Sequence, residues 1–383
     1  MNRIYLDHAA TTPLLPSVKE AMLPWLSSEF GNPSSLYQEG AKAKEALDQA
    51  RAILSDALGC LFGEVLFTSS GTEAANLALV GTALAHKGDR DTIVIAATEH
   101  HCVFHTRSIL NKLGYKVITA PVDRFARADL DVLQDLVDDK TLLVSVMHAN
   151  NELGTINDIS AVSQLCRESG ALFHCDAVQT FPWLNEMRWS VDDLGADLVT
   201  VSAHKIGGPK GAGALYIKGG TDIEPVIAGG GQERDMRAGT ENVAGIVGFG
   251  EAVRQRKEDQ SYTSYRTNAR NAFLEELEGD YVLSAEGAKT LNGHLHLRFP
   301  GASTESMLIL LDRMGVAASS GAACSSGSVE QSHVLLACGW SQQEANEGLR
   351  FTFGGETIVE EAKEAAQRVT QAANSIRAAQ TQS

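Results

Sequence analysis

The chain has no apolar run approaching the ~18 to 20 residues that a membrane-spanning helix requires; stretches such as Ile93 to Ala97 and Leu142 to Met147 are far shorter. It has no CxxC pair, and 6 cysteines in 383 residues fit reduced thiols rather than a disulfide framework. Positive charge is in deficit: 32 Lys and Arg stand against 48 Asp and Glu, for a net charge of -16. That balance argues against broad attraction to nucleic acid or anionic membrane, so neither is expected as a direct partner. There is no GxxxxGK[ST] loop, which excludes a Walker-type nucleotide site, and no HExxH pair of zinc ligands. No Pro- or Ser-rich linker, internal repeat or heptad array interrupts the chain. Met1 to Leu15 contains Asp7, His8 and Pro13 where a secretory signal needs an unbroken apolar run, so a cytoplasmic location is expected.

What is present is an ordinary globular composition, 44% hydrophobic and 21% charged, long enough for two or three domains at ~150 residues each. From residue 64, apolar runs at Val65–Phe67, Ile93–Ala97, Val117–Ala120, Leu142–His148, Leu172–Cys175 and Leu198–Ser202 alternate with segments of helical spacing. This pattern predicts an α/β fold with a mainly parallel central sheet covered on both faces. Beyond about residue 252 come a charged helix (Glu251 to Leu277), short strands near Tyr281 to Leu283 and Gly293 to Phe299, and a last helix from Val359 to Ala379. The expected division is a large domain over 16–252 and a smaller α+β domain made of 1–15 plus 253–383.

Ligands of parallel sheets sit at the carboxyl ends of strands, and those ends carry the informative residues. Val65–Phe67 runs into Thr68-Ser69-Ser70-Gly71-Thr72, small hydroxyl residues at a helix start, where free backbone N–H groups suit a phosphate and Ser70 or Thr72 also suits a simple cap. Leu172–Cys175 ends in Asp176-Ala177-Val178-Gln179, and Leu198–Ser202 ends in Ala203-His204-Lys205 before the glycine-rich stretch 207–213. A lysine amine at one strand end and a carboxylate ~30 residues earlier form the pair that pyridoxal phosphate needs, one as covalent anchor and one on the pyridinium nitrogen. Thr98-Glu99-His100-His101-Cys102-Val103-Phe104-His105 puts His101 and His105 at i, i+4. Spacing marks no further zinc ligand there, and a histidine at this strand end suits a position against a planar cofactor. Finally, Cys324 lies among small hydrophilic residues from Ala318 to Ser328, a setting for a reactive rather than a packed thiol.

These residues resemble the cysteine desulfurases of iron–sulfur cluster assembly, in the class-V branch of fold type I pyridoxal-phosphate enzymes. The likeness runs nearly end to end: Tyr5 to Thr12, Gly31-Asn32-Pro33-Ser34-Ser35, Thr98-Glu99-His100, Asn150 to Gly154, Asp176 to Gln179, Ser202 to Lys205, Gly229 to Arg234, Arg237 to Thr240, Ser319 to Cys324 and Leu349-Arg350-Phe351. The resemblance implies pyridoxal 5'-phosphate anchored on Lys205, with Asp176 at the ring nitrogen, Gln179 at the phenolate oxygen and His100 stacked on the ring. It implies Gly71, Thr72, Ser202 and His204 around the phosphate, with Thr240 supplied by the other subunit of a homodimer. Asn151 would line the substrate side and Arg350 would hold the substrate carboxylate. Cys324 falls in a Ser-Ser-Gly-Ala-Ala-Cys context similar to the long-loop group.

The implied reaction takes L-cysteine to L-alanine and moves sulfur onto Cys324 as a persulfide, with Lys205 and His100 moving protons. The sulfur would pass to an acceptor such as an iron–sulfur scaffold or a tRNA-thiolating enzyme. Two other readings stay open at this point. One is a related pyridoxal-phosphate aminotransferase or selenocysteine lyase in which Cys324 is a passenger; the other is a non-catalytic sulfur-carrier scaffold, which would lack a yellow chromophore.

Overall fold

Seven strands form one sheet in the order Val65–Thr68, Gly213–Ile217, Leu198–Ser202, Leu172–Asp176, Thr141–Ser145, Thr92–Ala96 and Lys116–Ala120. All run parallel except Gly213–Ile217, which is antiparallel to both neighbours. The computed structural model describes residues 2–381 apart from 87, 89, 186, 260 and 322–330. Every residue of Val65–Thr68, Thr92–Ala96, Thr141–Ser145 and Leu198–Ser202 is buried. Helices cover both faces, which is why these strands read as unbroken apolar runs instead of alternating ones.

Alternate strand residues enter two different cores. Val65, Phe67, Val144 and Phe173 pack with Leu54 and Phe249 on one face, while Leu66, Ile93, Leu143 and Leu198 pack with Leu79 and Leu110 on the other. The helix Val243–Glu258 lies against Gln38–Leu58 at very short range: a Cβ at Gly250 would stand 3.0 Å from the Cα and Cβ of Ala50. Residue 252 falls inside this helix. The single charged helix expected over 251–277 is in fact two, Val243–Glu258 and Tyr262–Glu276, because the first ends at Asp259, whose φ and ψ of -82 and 85 are not helical.

A third apolar core gathers Phe273, Leu297, Leu311, Phe351 and Ala366. It lies between a three-stranded antiparallel sheet (Val282–Leu283, His294–Arg298, Gly348–Thr352) and the helices Tyr262–Glu276, Thr304–Arg313 and Val359–Thr381. Ile4–Tyr5 pairs in parallel with Val316–Ala317, so Ile4 and Leu6 join this core. The chain then crosses to the large sheet, where the Thr12 N–H donates to the His204 carbonyl at 2.9 Å. Among the described residues no helix is long and apolar enough to cross a membrane.

Candidate active site

The carboxyl ends of the parallel strands open on one cavity of about 370 Å³. The register sets its floor: Asp176 stands opposite Thr200 on the neighbouring strand, and that strand ends at Ser202, followed by the 3-10 turn Ala203–Lys205. Lys205 Nζ donates to the carbonyls of Ala9 and Ala10 at 2.5 and 2.9 Å. Gln179 Nε2 donates to the same Ala9 carbonyl at 3.1 Å. His204 Nδ1 lies 3.2 Å from Thr11 Oγ1. Asp7 to Thr12 therefore form a wall of the site, which the sequence motif flagged without assigning a role.

Burial pushes the Asp176 carboxyl up to about 6, against a hydrogen bond from the Val178 N–H and the attraction of Lys205. Behind it, Glu99 is fully buried and is held well above the ordinary carboxylate range by burial and by the Asp176 charge. Its Oε1 accepts from the Met147 N–H, and its Oε2 has no partner among the described residues. His100 caps the helix His101–Phe104. Burial and then the Lys205 cation lower its pKa to about 4, so it is neutral. Its Nδ1 accepts the Cys102 N–H at 3.2 Å, which assigns the ring proton to Nε2. Cys102 Sγ also lies 3.0 Å from Nδ1. Sequence reasoning missed both Glu99 and Cys102 as neighbours of the site, although both sit in a motif it quoted.

Ser70 forms the N-cap of Gly71–Asn76, accepting the Glu73 N–H at 3.1 Å. That helix continues through a π turn at Leu77–Gly81 into Thr82–Ala85. Gly71 is packed so that a Cβ would lie 3.3 Å from Val178 Cγ2 and 3.4 Å from Ser202 Cβ. Ser202 Oγ is buried with no hydrogen-bond partner among the described residues.

On the opposite wall, the Arg350 guanidinium is buried. Its Nη2 pairs with Asp7 Oδ1 at 2.7 Å, Nη1 donates to the Asn151 carbonyl at 2.7 Å, and Nε has no partner among the described residues. Asn151 lines the same cavity. The cavity thus brings together Lys205, Asp176, Gln179, His100, His204, Ser202, Gly71, Thr72, Asn151 and Arg350. Thr240 is not in its lining and is exposed, and Cys324 lies outside the described residues. His101 and His105 stack at 4.7 Å, and His101 Nε2 lies 2.9 Å from His333 Nδ1. A larger and more open cleft of about 1030 Å³ lies over Asp123, His148 and Lys289, and none of the predicted site residues lines it.

The sequence profile of the class-V aminotransferase family matches residues 4–364. The chain is 43% identical to the cysteine desulfurase IscS of Dictyoglomus turgidum over 362 residues, 94% of this chain and 91% of that protein. It belongs to the class-V aminotransferases, in their cysteine desulfurase branch. Its fold is that of solved members of this family: a NifS-like protein superposes with a TM-score of 0.89 at 32% identity, covering 96% of this chain and 98% of that one. A structure of SspA in complex with cysteine superposes at 0.81 with 30% identity, covering 93% and 100%.

Class-V aminotransferases and cysteine desulfurases are pyridoxal-phosphate enzymes, and the cavity fits that cofactor chemically. It offers an amine (Lys205), a carboxyl (Asp176), a buried hydroxyl without a partner among the described residues beside a helix start (Ser202 with Gly71 and Thr72) and a neutral imidazole (His100).

Proposed function

We propose that this site converts L-cysteine to L-alanine and delivers the sulfur to Cys324, and that the cofactor is held by the residues the cavity collects. The observation that carries the reading is the convergence on one cavity of Lys205, Asp176, Gln179, His100, Ser202 and Arg350. They are drawn from strand ends and loops that span most of the chain. In this reading Lys205 anchors the cofactor, Asp176 faces its ring nitrogen, Gln179 its phenolate oxygen, and Gly71, Thr72, Ser202 and His204 its phosphate. When bound, pyridoxal phosphate supplies an electron sink that weakens the bonds at the α- and β-carbons of an amine substrate.

The protein's own residues do the rest. Lys205 Nζ moves the substrate's α-proton. His100 is neutral with its proton on Nε2 and offers a hydrogen-bond donor, not a cation. The Nε of Arg350, without a partner among the described residues, and the exchangeable contact of Nη2 with Asp7 give a substrate carboxylate two adjacent donors, with Asn151 beside them. The Cys324 thiolate attacks the substrate sulfur, so the Cβ–S bond breaks and an S–S bond forms. Cysteine and one enzyme thiol become alanine and one enzyme persulfide, without an external oxidant. The cysteine bound to SspA supports the choice of substrate.

Three further parts belong to the proposal. The active form is a homodimer, supported by the exposed apolar side chains Leu26, Phe30, Leu36 and Tyr37, which a second copy would cover, and by exposed Thr240, offered to the partner's phosphate site. The protein acts in the cytoplasm and hands sulfur to an iron–sulfur scaffold or a tRNA-thiolating enzyme, a reading in keeping with the IscS relatives. The large and small domains divide as 16–252 and 1–15 plus 253–383, in keeping with the separate apolar core that Phe273, Leu297 and Phe351 share with Ile4 and Leu6. Product analysis tests the reaction. Alanine formed from L-cysteine with no keto-acid co-substrate supports desulfuration, and a requirement for a keto acid indicates transamination.

A further inference from the structure

Glu152 is a buried carboxyl that the reaction above leaves unused. Asn150 Oδ1 accepts the N–H groups of Glu152 and Leu153, both at 2.9 Å, and this turn sends the Glu152 side chain inward, where only 2% of the residue is exposed. There the carboxylate meets both ends of one stretch of chain. Ser332 Oγ donates to Glu152 Oε2. Gly321 lies against the same group: with φ +85, a Cβ on it would stand 2.7 Å from Oε2 and 3.0 Å from Cδ and Cγ. Ser332 in turn caps the helix His333–Ala337 through the Leu335 N–H at 3.1 Å. On the other side, Ser319 pairs with Arg350 through backbone bonds of 3.2 and 2.7 Å. One carboxylate therefore bonds to Ser332 and packs against Gly321, two points that the sequence separates by the segment carrying Cys324.

We propose that Glu152 is a positioning residue for sulfur transfer, holding Gly321 and Ser332 together and so fixing the anchor points from which Cys324 reaches the substrate. The proposal rests on the reading of Cys324 as the sulfur-accepting thiol. Glu152 does not line the cavity, so its loss should alter where the thiol arrives without altering how cysteine binds. Misplacing a reacting group by ~1 Å costs on the order of 10²-fold in rate. Burial pushes the Glu152 carboxyl up to about 7, opposed by the Ser332 hydrogen bond and the Arg350 charge, so a neutral amide of the same shape is a fair substitute. Glutamine keeps an oxygen to accept the Ser332 hydroxyl and the same volume against Gly321.

The test uses holoenzyme and compares wild type, Glu152→Ala, Glu152→Gln, Ser332→Ala and Cys324→Ala. Alanine formation is followed together with the dissociation constant of L-cysteine read from cofactor absorbance. Glu152→Ala is expected to lower kcat by ~10- to 100-fold while the dissociation constant stays within about 3-fold, and Glu152→Gln is expected to recover most of the rate. Wild-type kcat in Glu152→Ala overturns the proposal. So does a loss that appears equally in binding, which would place Glu152 in the substrate site. If Glu152→Ala does not fold, Ser332→Ala decides: a kcat-specific loss supports the clamp and an unchanged kcat overturns it. Cys324→Ala separates the two readings, because undiminished turnover in that variant refutes Cys324 as acceptor, and the proposal with it, whatever the Glu152 variants do.

Discussion

Glu233 carries the clearest energetic prediction. It is buried with Arg51 in a bidentate pair, Arg51 Nη2 to Oε1 at 2.6 Å and Nη1 to Oε2 at 2.9 Å, and Oε2 also accepts the Phe67 N–H at 2.8 Å. The side chains are 7% and 2% exposed, so solvent screens the pair little. Glu233, Arg234 and Asp235 have φ of 45, 57 and 64, left-handed backbone that costs ~1 to 2 kcal/mol per residue. Three such residues store about 3 to 6 kcal/mol. Removing one partner of a buried pair costs about 3 to 5 kcal/mol, because the other charge is left buried without its counter-ion. Arg51→Met should leave Glu233 buried without its partner, and Glu233→Met should do the same to Arg51. Each is expected to lower urea stability by about 3 to 5 kcal/mol, with the double variant far less destabilised than the sum, a coupling of about 2 kcal/mol or more. Single effects that add to within about 0.5 kcal/mol would refute the reasoning.

Three further outcomes follow from the site. In cofactor-free protein, burial raises Asp176 to about 6 from 3.8, so its native form binds a proton that the unfolded chain releases. That stabilising contribution is present in full below pH 3.8 and is lost as pH rises through 6, so wild type should lose stability relative to Asp176→Asn by up to about 1.4 kcal/mol per pH unit between these values; parallel pH profiles contradict this. Nitrogen NMR of His100 should show a neutral ring with its proton on Nε2 from pH 5 to 8, and a titration near 6.5 would contradict the burial argument. Mixing Lys205→Ala with Thr240→Ala should restore about a quarter of wild-type sites if subunits exchange at random and each site borrows Thr240; no recovery despite proven exchange counts against a shared site.

The strand ends were legible because fully buried parallel strands are continuous apolar runs, and the polar residues that interrupt them at Asp176 and Lys205 stand out. Gly213–Ile217 escaped notice, since it follows directly on the glycine-rich stretch from Gly207 and its antiparallel pairing has no local signature. The break between Val243–Glu258 and Tyr262–Glu276 was hidden by charged residues on both sides, with no proline to mark it. Contacts between distant parts of the chain were out of reach: Arg51 with Glu233, Glu152 with Ser332, Asp7 with Arg350. Each unites residues more than 150 positions apart, and nothing in local spacing reports such a pairing. Glu152 itself lay in the quoted stretch Asn150 to Gly154, where it read as part of a motif without a task.

The central claim is that Cys324 takes the sulfur, and mass spectrometry after a single exposure to L-cysteine tests it most directly. Six cysteines are available. Cys166 and Cys175 are buried, while Cys102 lines the same cavity as Lys205 and is the credible competitor. The account predicts an added mass of about 32 Da, one sulfur as persulfide, on Cys324 alone, and its absence in Cys324→Ser even though that variant still binds L-cysteine. An adduct on Cys102 instead, or full desulfurase turnover in Cys324→Ser, would contradict it.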